Sequence, residues 1–231
     1  MGAVFRAHQR EPVARDVAIK IIRPRMASAG LMARFLRERQ ALALMDHPNI
    51  ARVYHAGATT RGLPYLVMEL LAGENIARYC VSHHLPLRER VALMIPVCRA
   101  VQHAHIKGII HRDIKPSNVL VATYDAKPVP KVIDFGIAKA AEGAFGIAGE
   151  TRSGMVIGTF EYVSPEQAEA GPRDVDARSD IYSLGVLLYQ VIAGRLPLAG
   201  LNLEHATYTD LLRRIREEVP PPPAPASWIG F

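Results

Sequence analysis

The sequence predicts an α+β fold in two lobes, a small antiparallel-sheet lobe with one helix and then a mostly helical lobe. Two observations predict it. Strand-like segments and a single amphipathic helix fill the first part of the chain, and helical segments dominate the rest. The two patterns part at Leu71-Ala72-Gly73. With 231 residues, 49% of them apolar, the chain is long enough to bury a core for one large domain or two lobes.

Val4-Phe5-Arg6-Ala7 reads as the first strand. Val17-Ala18-Ile19-Lys20-Ile21-Ile22, β-branched and nearly all apolar, reads as the second, with the polar segment His8 to Asp16 as the hairpin connection. A helix from about Ser28 to Met45 follows, with Leu31, Phe35, Leu42 and Met45 on one stripe. Glu38 lies on that same stripe, and a carboxylate on a buried face calls for a partner. His47-Pro48-Asn49-Ile50 ends the helix. Strands are expected over Ala51 to Ala56 and Pro64 to Leu70.

Leu87 to Lys107 reads as a long helix, with Pro96 inside it to kink or restart it. Short strands, Asn118 to Ala122 and Val129 to Ile133, flank a polar turn. The stretch from Ala140 to Gly158 has no periodicity, and loops of that length are often functional. A helix over Asp180 to Ala193 closes at Gly194, and another covers about His205 to Glu218. Pro220-Pro221-Pro222-Pro223 reads as polyproline.

Composition narrows the function. Charged residues make up an ordinary 22%, and the net charge of +6 is mild. The arginines are scattered and form no aromatic-interleaved stripe, which argues against nucleic acid as a partner. The two cysteines, Cys80 and Cys98, have neither CxxC spacing nor histidines at metal-ligand spacing, so two reduced, buried thiols are expected. The longest apolar stretch, Ile181 to Ala193, is too short for a bilayer, which takes about 20 residues. No signal peptide is visible, so a cytoplasmic location is expected; a membrane anchor in a longer parent protein stays open.

The chemistry lies in ordered motifs. They are Val17-Ala18-Ile19-Lys20, Met68-Glu69-Leu70-Leu71, His111-Arg112-Asp113-Ile114-Lys115-Pro116-Ser117-Asn118, Asp134-Phe135-Gly136 and Ser164-Pro165-Glu166. Together they resemble the bacterial, Hanks-type branch of the eukaryotic-like serine/threonine protein kinases, over essentially the whole chain. The resemblance implies a bilobal protein-kinase-like fold and transfer of the ATP γ-phosphoryl group to Ser/Thr hydroxyls of protein substrates. ATP and Mg²⁺ are the implied cofactors. Such a reaction needs positioning and charge neutralisation more than covalent chemistry.

By that resemblance Asp113 is the catalytic-loop base, and Lys115, two residues on, reaches the transferring phosphate. Asn118 and Asp134 would hold Mg²⁺ through hard oxygen ligands. Lys20 is a cation on an otherwise apolar strand and Glu38 a carboxylate on an apolar stripe, so each explains the other as a pair that aims the ammonium at the ATP phosphates. The alternative is an edge lysine pointing to water. The adenine site would draw on Gly2, Val4, Ala18, Met68 as gatekeeper, Glu69 and Leu71 through backbone groups, and Leu120. Asp180 fits a buried aspartate that braces the catalytic loop. Arg112 beside Asp113 implies control by activation-loop phosphorylation, for which Thr151 and Ser153 are the candidates. Lys115 and Gly158-Thr159 favour Ser/Thr over Tyr as acceptor.

The lobes are expected at residues 1–68 and 69–219, with a Pro-rich end at 220–231. Gly2-Ala3-Val4 matches only the end of the family's Gly-rich loop, and the first strand and last helices of the family pattern have no counterpart. That implies a chain truncated at both ends. The competing reading is an inactive kinase-fold fragment or pseudokinase-like binding module; a kinase acting on a small molecule is a third.

Overall fold

The computed structural model describes residues 3–21, 45–135, 160–169, 176–198 and 208–223. Its first sheet holds β1 (Ala3–Gln9), β2 (Arg15–Ile21), β3 (Val53–Ala58) and β4 (Pro64–Glu69), all antiparallel, in the order β1-β2-β4-β3. Residues paired across an antiparallel ladder share a face, as do residues two apart. Val4 pairs with Lys20, Lys20 with Leu66, and Ala18 with Met68. One face therefore carries Val4, Ala18, Lys20, Leu66 and Met68. The expected helix from Ser28 to Met45 lies almost wholly outside the described residues.

The second sheet, β5 (Gly73–Asn75), β6 (Val119–Tyr124) and β7 (Lys127–Val132), is antiparallel in chain order. Asp125 and Ala126, at φ 48° and 61°, make the two-residue turn between β6 and β7, the left-handed geometry that matches the strand twist. Val119 and Val121 are buried, so Leu120 points to the opposite face of β6, and its ladder partner Lys131 shares that face.

The helices are α1 (Ile76–Ser82), α2 (Leu87–Ile106), α3 (Pro165–Glu169), α4 (Ala177–Ala193) and α5 (Tyr208–Glu217). Pro96 does not restart α2, which runs as one 20-residue helix. Proline removes one amide donor, but Leu93, Met94, Val97, Ala100, Val101 and Ala104 are all buried along one stripe, and that burial outweighs the lost bond. α4 begins three residues before the expected Asp180 because the Asp176 side chain caps it, accepting from the Arg178 N–H at 2.8 Å. It ends, as expected, at Gly194 with φ 71°. β3 starts at Val53, not Ala51, because the Ala51 N–H is already committed to the Val132 carbonyl at 2.9 Å. Cys80 is buried, whereas Cys98 is exposed on α2, contrary to the expectation of two buried thiols.

The core lies between the second sheet and the long helices, where Ile76, Val97, Ala100, Ala104, Val119 and Leu187 are fully buried. Among the described residues no helix is long and apolar enough to cross a membrane.

Candidate active site

The loop from His111 to Asn118 joins α2 to β6 and is held from below by Asp180, which is 1% exposed in α4. Its Oδ2 accepts from the His111 backbone N–H at 2.7 Å, and its Oδ1 from that of Arg112 at 2.8 Å. His105 Nε2 stands 2.8 Å from Oδ2. These bonds keep Arg112 at φ 64°, a left-handed conformation that costs a side-chain-bearing residue about 1 to 2 kcal/mol. The aspartate braces the loop as the sequence led one to expect.

His111 is fully buried against Phe135, with ring centroids 4.6 Å apart. Burial pushes the imidazole below its ordinary range, outweighing the opposing pull of Asp180 and the Ile133 carbonyl. Nδ1 accepts from the Asp113 N–H at 3.2 Å, so Nε2 carries the proton and donates to the Ile133 carbonyl at 3.0 Å. One neutral ring thereby ties the loop bearing Asp113 to the strand end that precedes Asp134.

Asp113, Lys115 and Asn118 come together as one cluster. Lys115 Nζ lies 2.9 Å from Asp113 Oδ2. Asn118 Nδ2 donates to the same oxygen at 3.0 Å and to the Asp113 carbonyl at 2.7 Å. The short 3₁₀ turn Pro116–Asn118 sets this spacing, and the Ile133 N–H donates to the Asn118 carbonyl at 2.9 Å. Across the sheet face, Lys20 Nζ forms an ion pair with Asp134 Oδ1 at 2.8 Å, with the two side chains 18% and 22% exposed. Asp134 itself sits at φ 59°, a second left-handed non-glycine residue beside the cluster.

Asn118 and Asp134 fit a hard cation such as Mg²⁺. Both offer oxygen, and because Asn118 turns its Nδ2 toward Asp113, its amide oxygen is the atom left to face a metal.

Met68 and Ala18 are buried on the face that carries Lys20, whereas Val4 is 60% exposed at the edge strand β1. The Glu69 carboxylate has partners of its own: it accepts from Lys131 Nζ at 2.7 and 2.8 Å, from the Tyr124 hydroxyl at 2.9 Å and from the Arg52 N–H at 3.2 Å. Its own N–H donates to the Arg52 carbonyl at 2.9 Å. Burial raises the Glu69 carboxyl, but the hydrogen bonds from Lys131, Arg52 and Tyr124 more than offset it, and the group sits below its usual range. Leu71, just before β5, and Leu120 on β6 are half-buried. Gly2, Glu38, Thr151 and Ser153 lie outside the described residues, so the Lys20–Glu38 pairing and the phosphorylation candidates do too.

Sequence reasoning missed Lys131, Tyr124 and Arg52. The local signal was the lysine inside the otherwise apolar, proline-bearing run Val129 to Ile133.

A sheet lobe and a helical lobe that meet at paired lysines, aspartates and an asparagine amide are the arrangement of the protein kinase fold. The chain matches the model of the protein kinase domain over residues 1–225. It is 40% identical over 216 residues to serine/threonine-protein kinase PknB of Mycobacterium tuberculosis, covering 91% of this chain and 33% of that protein. It is 38% identical over 229 residues to serine/threonine-protein kinase Pkn1 of Myxococcus xanthus, covering 98% and 31%. Among solved structures, the Mycobacterium tuberculosis PknI kinase domain is similar with a TM-score of 0.65, at 27% identity and with 86% of this chain and 71% of that one covered. Rad53 1–466 in complex with AMP-PNP matches with a TM-score of 0.67 at 25% identity, covering 92% and 50%. The chain belongs to the protein kinase domain family and has its bilobal α+β fold. It spans about a third of the length of the curated relatives.

Proposed function

We propose that this domain is a serine/threonine protein kinase, moving the γ-phosphoryl group of ATP to Ser or Thr hydroxyls of protein substrates. The observation that carries the reading is the Asp113 carboxylate held by both Lys115 and Asn118, beside the Lys20–Asp134 pair.

Asp113 orients the acceptor hydroxyl and takes its proton as the oxygen bonds to phosphorus and the bond to the leaving ADP oxygen breaks. Lys115, fixed on the same carboxylate, places its charge where negative charge builds on the group in transit. Lys20, with Glu38, holds the α- and β-phosphates. Asn118 and Asp134 hold Mg²⁺, which when bound neutralises phosphate charge. Adenine sits between Val4, Ala18 and Met68 on one side and Leu120 on the other, meeting the backbone of Glu69 and Leu71, while Gly2 belongs to the loop over the phosphates. Residues 1–68 and 69–219 are the two lobes. Phosphate on Thr151 or Ser153, paired with Arg112, regulates the loop. A cytoplasmic location, with a membrane anchor in a longer parent protein left open, goes with this reading, and protein acceptors, not nucleic acid, are the proposed substrates.

Hydrolysis of the labelled products and separation of the phosphoamino acids tests this reading. Mg²⁺-dependent label on Ser and Thr is expected. Label confined to an added small metabolite, or nucleotide binding with no transfer, would replace the reading with a small-molecule kinase or a binding module.

A further inference from the structure

The Glu69 carboxylate is the meeting point of three elements. It stands at the end of β4, two residues before Leu71, where the chain passes from the first sheet toward β5. Its partners come from elsewhere: Lys131 from β7, Tyr124 from the end of β6, and the backbone of Arg52 from the segment before β3. Lys131 and Glu69 are only 12% and 16% exposed, so both charges are largely removed from water and each depends on the other. β7 continues through Ile133 to Asp134, three residues beyond Lys131. One lysine therefore fastens the backbone segment expected to meet adenine to the strand that delivers Asp134.

We infer that Lys131 and Tyr124 are positioning residues for nucleotide binding, gripping Glu69 so that the backbone from Glu69 to Gly73 is held in register with Asp134. This rests on the kinase reading for its consequence, though the grip itself is a property of the fold. Without Lys131, Glu69 loses the cation that bonds both its oxygens and keeps only the Tyr124 hydroxyl and the Arg52 N–H as hydrogen-bond donors, so the strand end shifts toward water. A base that hydrogen-bonds to that backbone then meets it in the wrong place, and even small misplacements are costly in binding. Tyr124 supplies one neutral bond and contributes less. The network also walls an open cavity of about 510 Å³ with Arg52, Tyr54 and Val129, apart from the buried core cluster, so the substitutions leave that core unaltered, and an unfolding midpoint measured for each variant checks that it folds.

The test uses the full chain with Lys131→Met, Lys131→Arg and Tyr124→Phe, measuring KM for ATP, kcat and amide hydrogen exchange. Lys131→Met is expected to raise KM for ATP about tenfold while kcat stays within about threefold. Exchange over residues 69–73 should quicken and that of α2 and α4 should not. Lys131→Arg restores most of the parent KM, because the guanidinium can engage both carboxylate oxygens. A purely structural lysine would lower the unfolding midpoint and leave KM unchanged. Parent-like KM in folded Lys131→Met, or parent-like exchange at 69–73, overturns the inference. If the parent itself transfers no phosphate, the kinase reading fails, and exchange at 69–73 alone decides the grip.

Discussion

His111 shows how much a single buried side chain carries here. Its two ring nitrogens are bound to different segments, the Asp113 N–H and the Ile133 carbonyl, and only the neutral tautomer serves both. The folded ring takes up a proton less readily than an unfolded one, whose pKa is about 6.5. The unfolded chain therefore binds more protons in mild acid. The stabilisation is complete above that value and is lost as pH falls through and below it. Urea unfolding midpoints between pH 8 and 5.5 should decline toward acid more steeply for the parent than for His111→Leu. Equal slopes would assign the acid sensitivity to other groups. Asp113, Lys115, Asn118 and Asp180 were legible in the sequence because a contiguous motif holds the first three and an apolar helix the fourth. Lys131, Tyr124 and Arg52 were not, because they meet Glu69 across sequence gaps that leave no periodic trace.

At the scale of elements, strand and helix identity followed from side-chain pattern, while their limits followed from hydrogen bonds that the pattern does not encode. β3 loses Ala51 to β7 and starts two residues late, and α4 gains three from its Asp176 cap. Gly73, which the sequence marks only as a break, has a sharper role. A Cβ there would stand 2.3 Å from the Val121 carbonyl oxygen, backbone that cannot swing aside. Gly73→Ala should force β5 off β6 and destabilise the fold by about 2 kcal/mol, as overpacking does. Urea denaturation reads that cost directly; parent stability would show that the two strands can separate freely. Pro96 illustrates the opposite error, a local signal for a break that buried neighbours override.

Across the whole molecule, the two sheets are stitched by the short segment that the sequence marked only as a helix end. The Asn49 side chain donates to the Pro130 carbonyl at 2.8 Å, and in a parallel bridge at Ile50 the Val132 N–H donates to the Asn49 carbonyl while the Val132 carbonyl accepts from the Ala51 N–H. Together with Glu69 and Lys131 these bonds join the first sheet to the strand feeding Asp134. The two-lobe fold was legible from the order of strand and helix patterns along the chain, but the joint between lobes was not, since long-range pairing has no signature in local propensity. The strand held by the joint runs on to Ile133, whose carbonyl accepts from His111 beside the cluster around Asp113, and the proposed phosphotransfer depends on that carboxylate. The most direct measurement is the initial rate of transfer from labelled ATP with Mg²⁺ to a generic basic protein, for the parent and for Asp113→Asn at matched nucleotide occupancy. The expected result is transfer by the parent and a fall of at least about 100-fold in the variant. Equal rates in the two proteins, or none in either, would contradict a catalytic role for Asp113 in this chain.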